Sequence, residues 1–218
     1  MVSKKNRWVA SAGLVLAVAG AAFLSSTVVA GDAKSGAAAS AKLNIGDKAP
    51  DFTLKGFDGK EYTLSSLTKE GKIVVLEWFN SECPFCVKHG EAKTIINIVN
   101  DFKDQNVVVL GINSGGPGKP GYGKDEEASK KWGLNYPILQ DAEGKVGRSY
   151  GAKTTPHMYI IAKDGTLAYQ GAIDNKPQGA ADADAVNYVR QALGEMLKGE
   201  KVSTAETKPY GCGVKYAS

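Results

Sequence analysis

Cysteine is scarce: Cys83, Cys86 and Cys212 are the only three in 218 residues. So few exclude a disulfide-stapled scaffold, and an odd count leaves one thiol without an intrachain partner. Histidine is rarer still, with His89 and His157 alone. A zinc site on Cys83 and Cys86 would need further ligands at suitable spacing, and only His89, His157 and Cys212 remain as N or S donors. Haem attachment would want His directly after the second cysteine of the close pair, where Val87 stands. Excess charge is also missing. The formal net charge is +4, and residues 1–30 carry Lys4, Lys5 and Arg7 with no acid, so the remainder stands at +1 and gives no ground for nucleic-acid binding. No internal repeat is present.

Charge is absent altogether from Trp8 to Gly31. With the basic end before it and small residues at Val28 and Ala30, residues 1–30 read as a cleaved export signal. Left uncut, the same stretch is long enough to anchor the chain in a bilayer, for which about 20 apolar residues suffice. Either way the rest is expected outside the cytoplasm, periplasmic or secreted, and no cysteine near the signal could carry a lipid. Residues 31–42 are small and aperiodic, a flexible linker. Residues 43–199 form the expected domain, and 200–218 are a tail, without apolar period, that carries Cys212.

Hydrophobic residues make up 43% of the chain and charged residues 23%, enough for one good core. "DFTLKGFDGKEYTLSSL" predicts a hairpin around Asp58-Gly59 and a short helix. "KIVVLEWF" and "NVVVLGIN" predict strands buried on both faces. One helix is predicted from Pro84 through "FCVKHGEAKTIINIVNDFKDQ", with His89 on its solvated face. The Gly- and Pro-rich "SGGPGKPGYGK" is an exposed loop. Then follow a helix in "DEEASKKWGL", a strand in "YPILQD", a short helix, two strands across Asp164-Gly165, and an amphipathic helix from Ala185 to Leu197. Strands alternating with helices predict an α/β fold with a mixed central sheet.

Cys83-Pro84-Phe85-Cys86 lies at a strand-to-helix junction. A thiol there faces unpaired backbone amides and the positive end of the helix dipole, which favours its thiolate. Cys86, one turn on, is placed to form a disulfide with it or to resolve a mixed disulfide. A disulfide closing so short a loop constrains the unfolded chain little, so redox chemistry is the expected role. Glu77, six residues before Cys83, sits in a strand expected to be buried, where an isolated carboxylate is costly. Taking the proton of Cys86 as it attacks would account for it; a strand-end ion pair with a lysine is the alternative.

On these residues the chain from about Leu43 to Gly199 resembles the thioredoxin superfamily, in its branch of redoxin or alkyl-hydroperoxide-reductase/thiol-specific-antioxidant domains. The likeness is carried by the "DFTL" entry, "CPFC" after the buried strand, "PILQDAEGKVGRSYGAKTTPHMYIIAKDG" and "YQGAIDN". It implies a thioredoxin-like fold, a catalytic acid at Glu77, and a cis-proline at Thr155-Pro156 whose backbone edge binds a substrate peptide. It further implies a thiol-disulfide oxidoreductase that exchanges with partner proteins, draws electrons from an external dithiol and needs no metal or organic cofactor. Glu82 stands where the superfamily usually has Trp, and its charge is expected to disfavour the thiolate. Peroxiredoxins place Thr and Pro where this chain has Asn80 and Leu76, and an Arg facing the cysteine where it has Thr155-Pro156, which disfavours the alternative of a thiol peroxidase using Cys83 with Cys86 or Cys212 resolving. A copper-binding assembly protein using Cys83, Cys86 and His157 is another, since thiolates and imidazole suit Cu(I). Cys212 is either a spectator or an accessory thiol that folds back to exchange with the pair.

Overall fold

The computed structural model describes residues 43–177 and 184–217. The expected export signal and linker lie outside the described residues. In chain order the elements are β1 (Thr53–Gly56), β2 (Glu61–Thr63), α1 (Leu64–Lys69), β3 (Ile73–Trp78), α2 (Pro84–Glu91), α3 (Thr94–Phe102), β4 (Val107–Asn113) and α4 (Asp125–Trp132). There follow β5 (Ile138–Gln140), α5 (Lys145–Tyr150), β6 (Thr154–Thr155), β7 (Met158–Ile161), β8 (Leu167–Gly171), α6 (Tyr188–Leu197) and β9 (Cys212–Gly213). Among the described residues no helix is long and apolar enough to cross a membrane.

Seven strands form one sheet in the order β2-β1-β5-β4-β3-β7-β8. The β3–β4 and β4–β5 pairs are parallel and the remainder antiparallel, the mixed α/β sheet that the alternation of elements predicts. β3 lies centrally between β4 and β7, and all six of its residues are buried, as an apolar run flanked on both faces requires.

Because strand side chains alternate between faces, β3 divides its residues between two cores. Ile73, Val75 and Phe79 pack with Ile95, Ile98, Trp132, Met158 and the two close cysteines. Val74, Leu76 and Trp78 pack on the opposite face with Tyr150, Tyr159 and Leu110. Glu77, two residues from Val75, therefore shares the face that α2 covers.

The predicted single helix after Pro84 is two. Lys93 adopts φ 55°, a left-handed conformation that no continuous helix admits, and the backbone tightens before it with Lys93 N–H donating to the Gly90 carbonyl. Gly90 lets Trp132 press against α2, since a Cβ there would come 2.7 Å from the indole. The last helix starts at Tyr188 rather than Ala185, where the Asn187 side chain accepts from Arg190 N–H at 2.9 Å and caps it. The tail also differs from expectation. It docks along β8, where Gln170 N–H donates to Ala205 O and Thr207 N–H to Gln170 O, pairs β9 with β6, and continues to Tyr216, whose Oη donates to Ala152 O at 2.8 Å.

Candidate functional site

Cys83 caps the N-terminus of α2 and Pro84 opens the helix, so the helix's unpaired amides face the first thiol. Cys86 and His89, three residues apart, lie on the buried side of α2. Cys83 is 3% exposed and Cys86 1%. The Cys83 thiol is pushed down to about 4, chiefly by the Cys86 thiol and further by the Thr155 hydroxyl and the N–H groups of Cys86 and Cys212. Burial opposes this, and so does the Thr155 carbonyl, which accepts from the neutral thiol at 2.8 Å. Cys86 moves the other way. Complete burial, the hydrogen bond to Cys83 and the charge of Glu77 hold its thiol well above the ordinary range. The two sulfurs are thus unequal, one poised as thiolate and the other kept protonated.

Glu77 is 1% exposed. Burial raises its carboxyl to about 7, partly offset by Tyr136 Oη, which donates to Glu77 Oε2 at 2.9 Å. Glu77, Tyr136, Cys86 and His89 line one small enclosed space between β3 and α2. A carboxyl titrating near neutrality beside a high thiol can accept that thiol's proton. Tyr136 is missing from the sequence-level reading. Its only signal is a lone Tyr before Pro137 at the start of β5, far from the dithiol in sequence.

The Thr155-Pro156 peptide is cis and stands against Cys83. The tail closes over the same place: β9 pairs antiparallel with β6 so that Cys212 lies opposite Thr155. Cys212 is half-buried, and its thiol is raised to about 11 by burial, then by its hydrogen bond to Cys83 and the charge there.

Three sequence expectations fare differently. Glu82 does not turn its charge on Cys83: its carboxylate takes Gly121 N–H at 3.0 Å and pairs with Lys124, binding the Gly- and Pro-rich loop to the turn that carries Cys83. Asn80 fastens the same loop through Pro120 O at 2.9 Å. His89 is not on a solvated face but 3% exposed, held between Thr94 Oγ1 at 3.0 Å and Tyr210 Oη at 2.9 Å. His157 is not brought to the dithiol. The pleat of β7 sets it with Tyr159, whose ring lies 4.5 Å away, and Lys153 N–H donates to its Nδ1 at 3.3 Å. Burial lowers its imidazole to about 3. Among the described residues no group of three His, Cys, Asp or Glu side chains could hold a metal ion.

The family model described as the AhpC/TSA family matches residues 45–170. Thiol-disulfide oxidoreductase ResA of Geobacillus thermodenitrificans is 28% identical over 56% of this chain and 66% of its own. Peroxiredoxin Q, chloroplastic, of Gentiana triflora is 31% identical over 58% of each chain. The chain thus spans less than two thirds of the length of these curated relatives. A hypothetical protein of Sinorhizobium meliloti has a similar solved structure, with TM-score 0.70 and 26% identity over 82% of this chain and 97% of that one.

Proposed function

The chain belongs to the AhpC/TSA family, and from that membership we propose that it is an exported thiol-disulfide oxidoreductase acting on partner proteins. The observation that carries this reading is the inequality of the paired thiols, Cys83 pushed down to about 4 and Cys86 pushed well up, with a carboxyl near 7 on the same face. The Cys83 thiolate attacks a partner disulfide and one partner sulfur leaves. Cys86 then attacks Cys83 Sγ, Glu77 takes its proton, and the second partner sulfur departs. The backbone edge at Thr155 and Pro156, on which β9 lies, holds the partner strand once β9 leaves it. An external dithiol returns the site to its reduced form. The likeness to a thiol-disulfide oxidoreductase supports this reading, and the charge-free stretch from Trp8 to Gly31 supports export.

Peroxide reduction is the alternative that the likeness to a peroxiredoxin supports. The two described arginines are engaged elsewhere, however: Arg148 stacks on Tyr216 and Arg190 pairs with Asp101. Reduction of insulin disulfides by the reduced protein tests the proposal, with hydrogen peroxide offered in parallel. Cys83→Ser is expected to lower the insulin rate by about a thousandfold or more. Slow insulin reduction beside rapid peroxide consumption would favour the peroxidase instead.

A further inference from the structure

The segment after α6 is anchored stepwise toward the dithiol. Thr207 Oγ1 accepts from Ala172 N–H at 2.9 Å, and Tyr210 Oη donates to Asp174 Oδ1 at 2.7 Å while also meeting His89. Gly211 then passes under Thr155 at φ +128°, where a Cβ would come 2.1 Å from the Thr155 carbonyl oxygen. Backbone stands on the far side of that contact, so only glycine fits. Beyond it, β9 pairs with β6 and sets Cys212 over Cys83. β6 offers the edge on which the proposed function seats a partner strand, and the chain's own tail lies there. With the tail in place Cys83 and Cys86 are 3% and 1% exposed, whereas Cys212 is half-buried, the least buried of the three cysteines.

We propose that the tail is a built-in substrate strand and that Cys212 is a third redox-active thiol, passing the oxidation of an external disulfide to Cys83 through an intramolecular Cys83–Cys212 disulfide. The inference rests on the dithiol reading and extends it. The small fraction of Cys212 that has lost its proton to solvent attacks one sulfur of an external disulfide. The bond between the two external sulfurs breaks, and the first leaves and is protonated as a thiol. The Cys83 thiolate then attacks Cys212 Sγ, forming the internal disulfide and expelling the second external sulfur, again protonated from solvent. Finally Cys86 attacks Cys83 Sγ, its proton passing to Glu77, and Cys212 departs and is reprotonated. One external disulfide is reduced to two thiols, and Cys83 with Cys86 is oxidised by the same two electrons.

The test uses the full chain and oxidised glutathione as the external disulfide. Cys86→Ser blocks the last step, so it is expected to collect a linked Cys83–Cys212 peptide in mass mapping, with no glutathione retained. Glutathione kept on either cysteine without that link would overturn the proposal, and Cys86→Ala repeats the test should serine disturb the buried site. Cys212→Ser is expected still to form the Cys83–Cys86 disulfide, about tenfold more slowly. An unchanged rate would remove Cys212 as the point of entry. Failure of the wild-type chain, with all three thiols present, to form any Cys83–Cys86 disulfide would sink the dithiol reading itself.

Discussion

Glu77 concentrates the conflict between stability and chemistry in one side chain. Its carboxyl stands at about 7 in the folded chain against the ordinary 4.5, so the folded state holds the proton more tightly than the unfolded state. The stability tied to this group is complete below the unfolded value and is lost as pH rises through the folded one. Glu77→Gln, which cannot ionise, is therefore expected to be more stable than the wild type above neutrality by up to ~3 kcal/mol in urea unfolding, with the gap closing below about pH 4.5. The same variant should slow resolution of the mixed disulfide about a hundredfold, because no base remains to take the Cys86 proton. A purely structural carboxylate would not give that split. In the proposed mechanism Tyr136 acts through Glu77 as a positioning residue. Its hydrogen bond lowers the Glu77 carboxyl, so Tyr136→Phe should move the acid limb of the pH–rate profile upward by roughly one unit. A limb that stays in place would show that Glu77 is not the titrating base.

The elements differ in how far sequence alone reveals them. Period two in β3 and one helical turn in α2 suffice to put Glu77, Cys83 and Cys86 together, and both are local properties of the chain. The break at Lys93 is less legible, since the sequence carries no helix-stop residue there, and Gly90, three residues before it, is where Trp132 of α4 docks. Tyr136 reaches Glu77 only because β5 joins β4 in parallel and β4 joins β3. His157 follows the cis-proline in sequence yet falls on the other face by pleat. The tail is the least legible element: it has no apolar period, and its order comes from scattered contacts to β8, α2, β6, α5 and the loop after β4. Gly211 is the tightest of these, so Gly211→Ala should undock β9 and leave the sheet intact. Cys83 alkylation by iodoacetamide near neutral pH is then expected to accelerate about tenfold, with little change in the global unfolding midpoint. Unchanged alkylation would mean that the tail does not guard Cys83.

Over the whole molecule, a central sheet with one strand buried on both faces provides a rigid floor, and both strand-to-helix turns at its edge converge on the dithiol. The turn after β3 supplies Cys83, the loop after β4 is fastened to that turn by Asn80 and Glu82, and the cis peptide before β7 faces the sulfur. Family membership is carried by residues 45–170, whereas Cys212 lies beyond them, so the third thiol adds to the shared domain. Under the proposed function, whether the protein would reduce or oxidise a partner is set by the potential of the Cys83–Cys86 couple relative to the partner's. The central claim is that these two sulfurs form a reversible dithiol/disulfide couple. Equilibrating the protein with thiol–disulfide buffers of graded potential, then quenching with acid, alkylating and mapping the linked peptides, tests it most directly. The account predicts a single two-electron transition that ends in a Cys83–Cys86 disulfide and disappears in Cys83→Ser. Both cysteines remaining alkylatable across the whole range would contradict it.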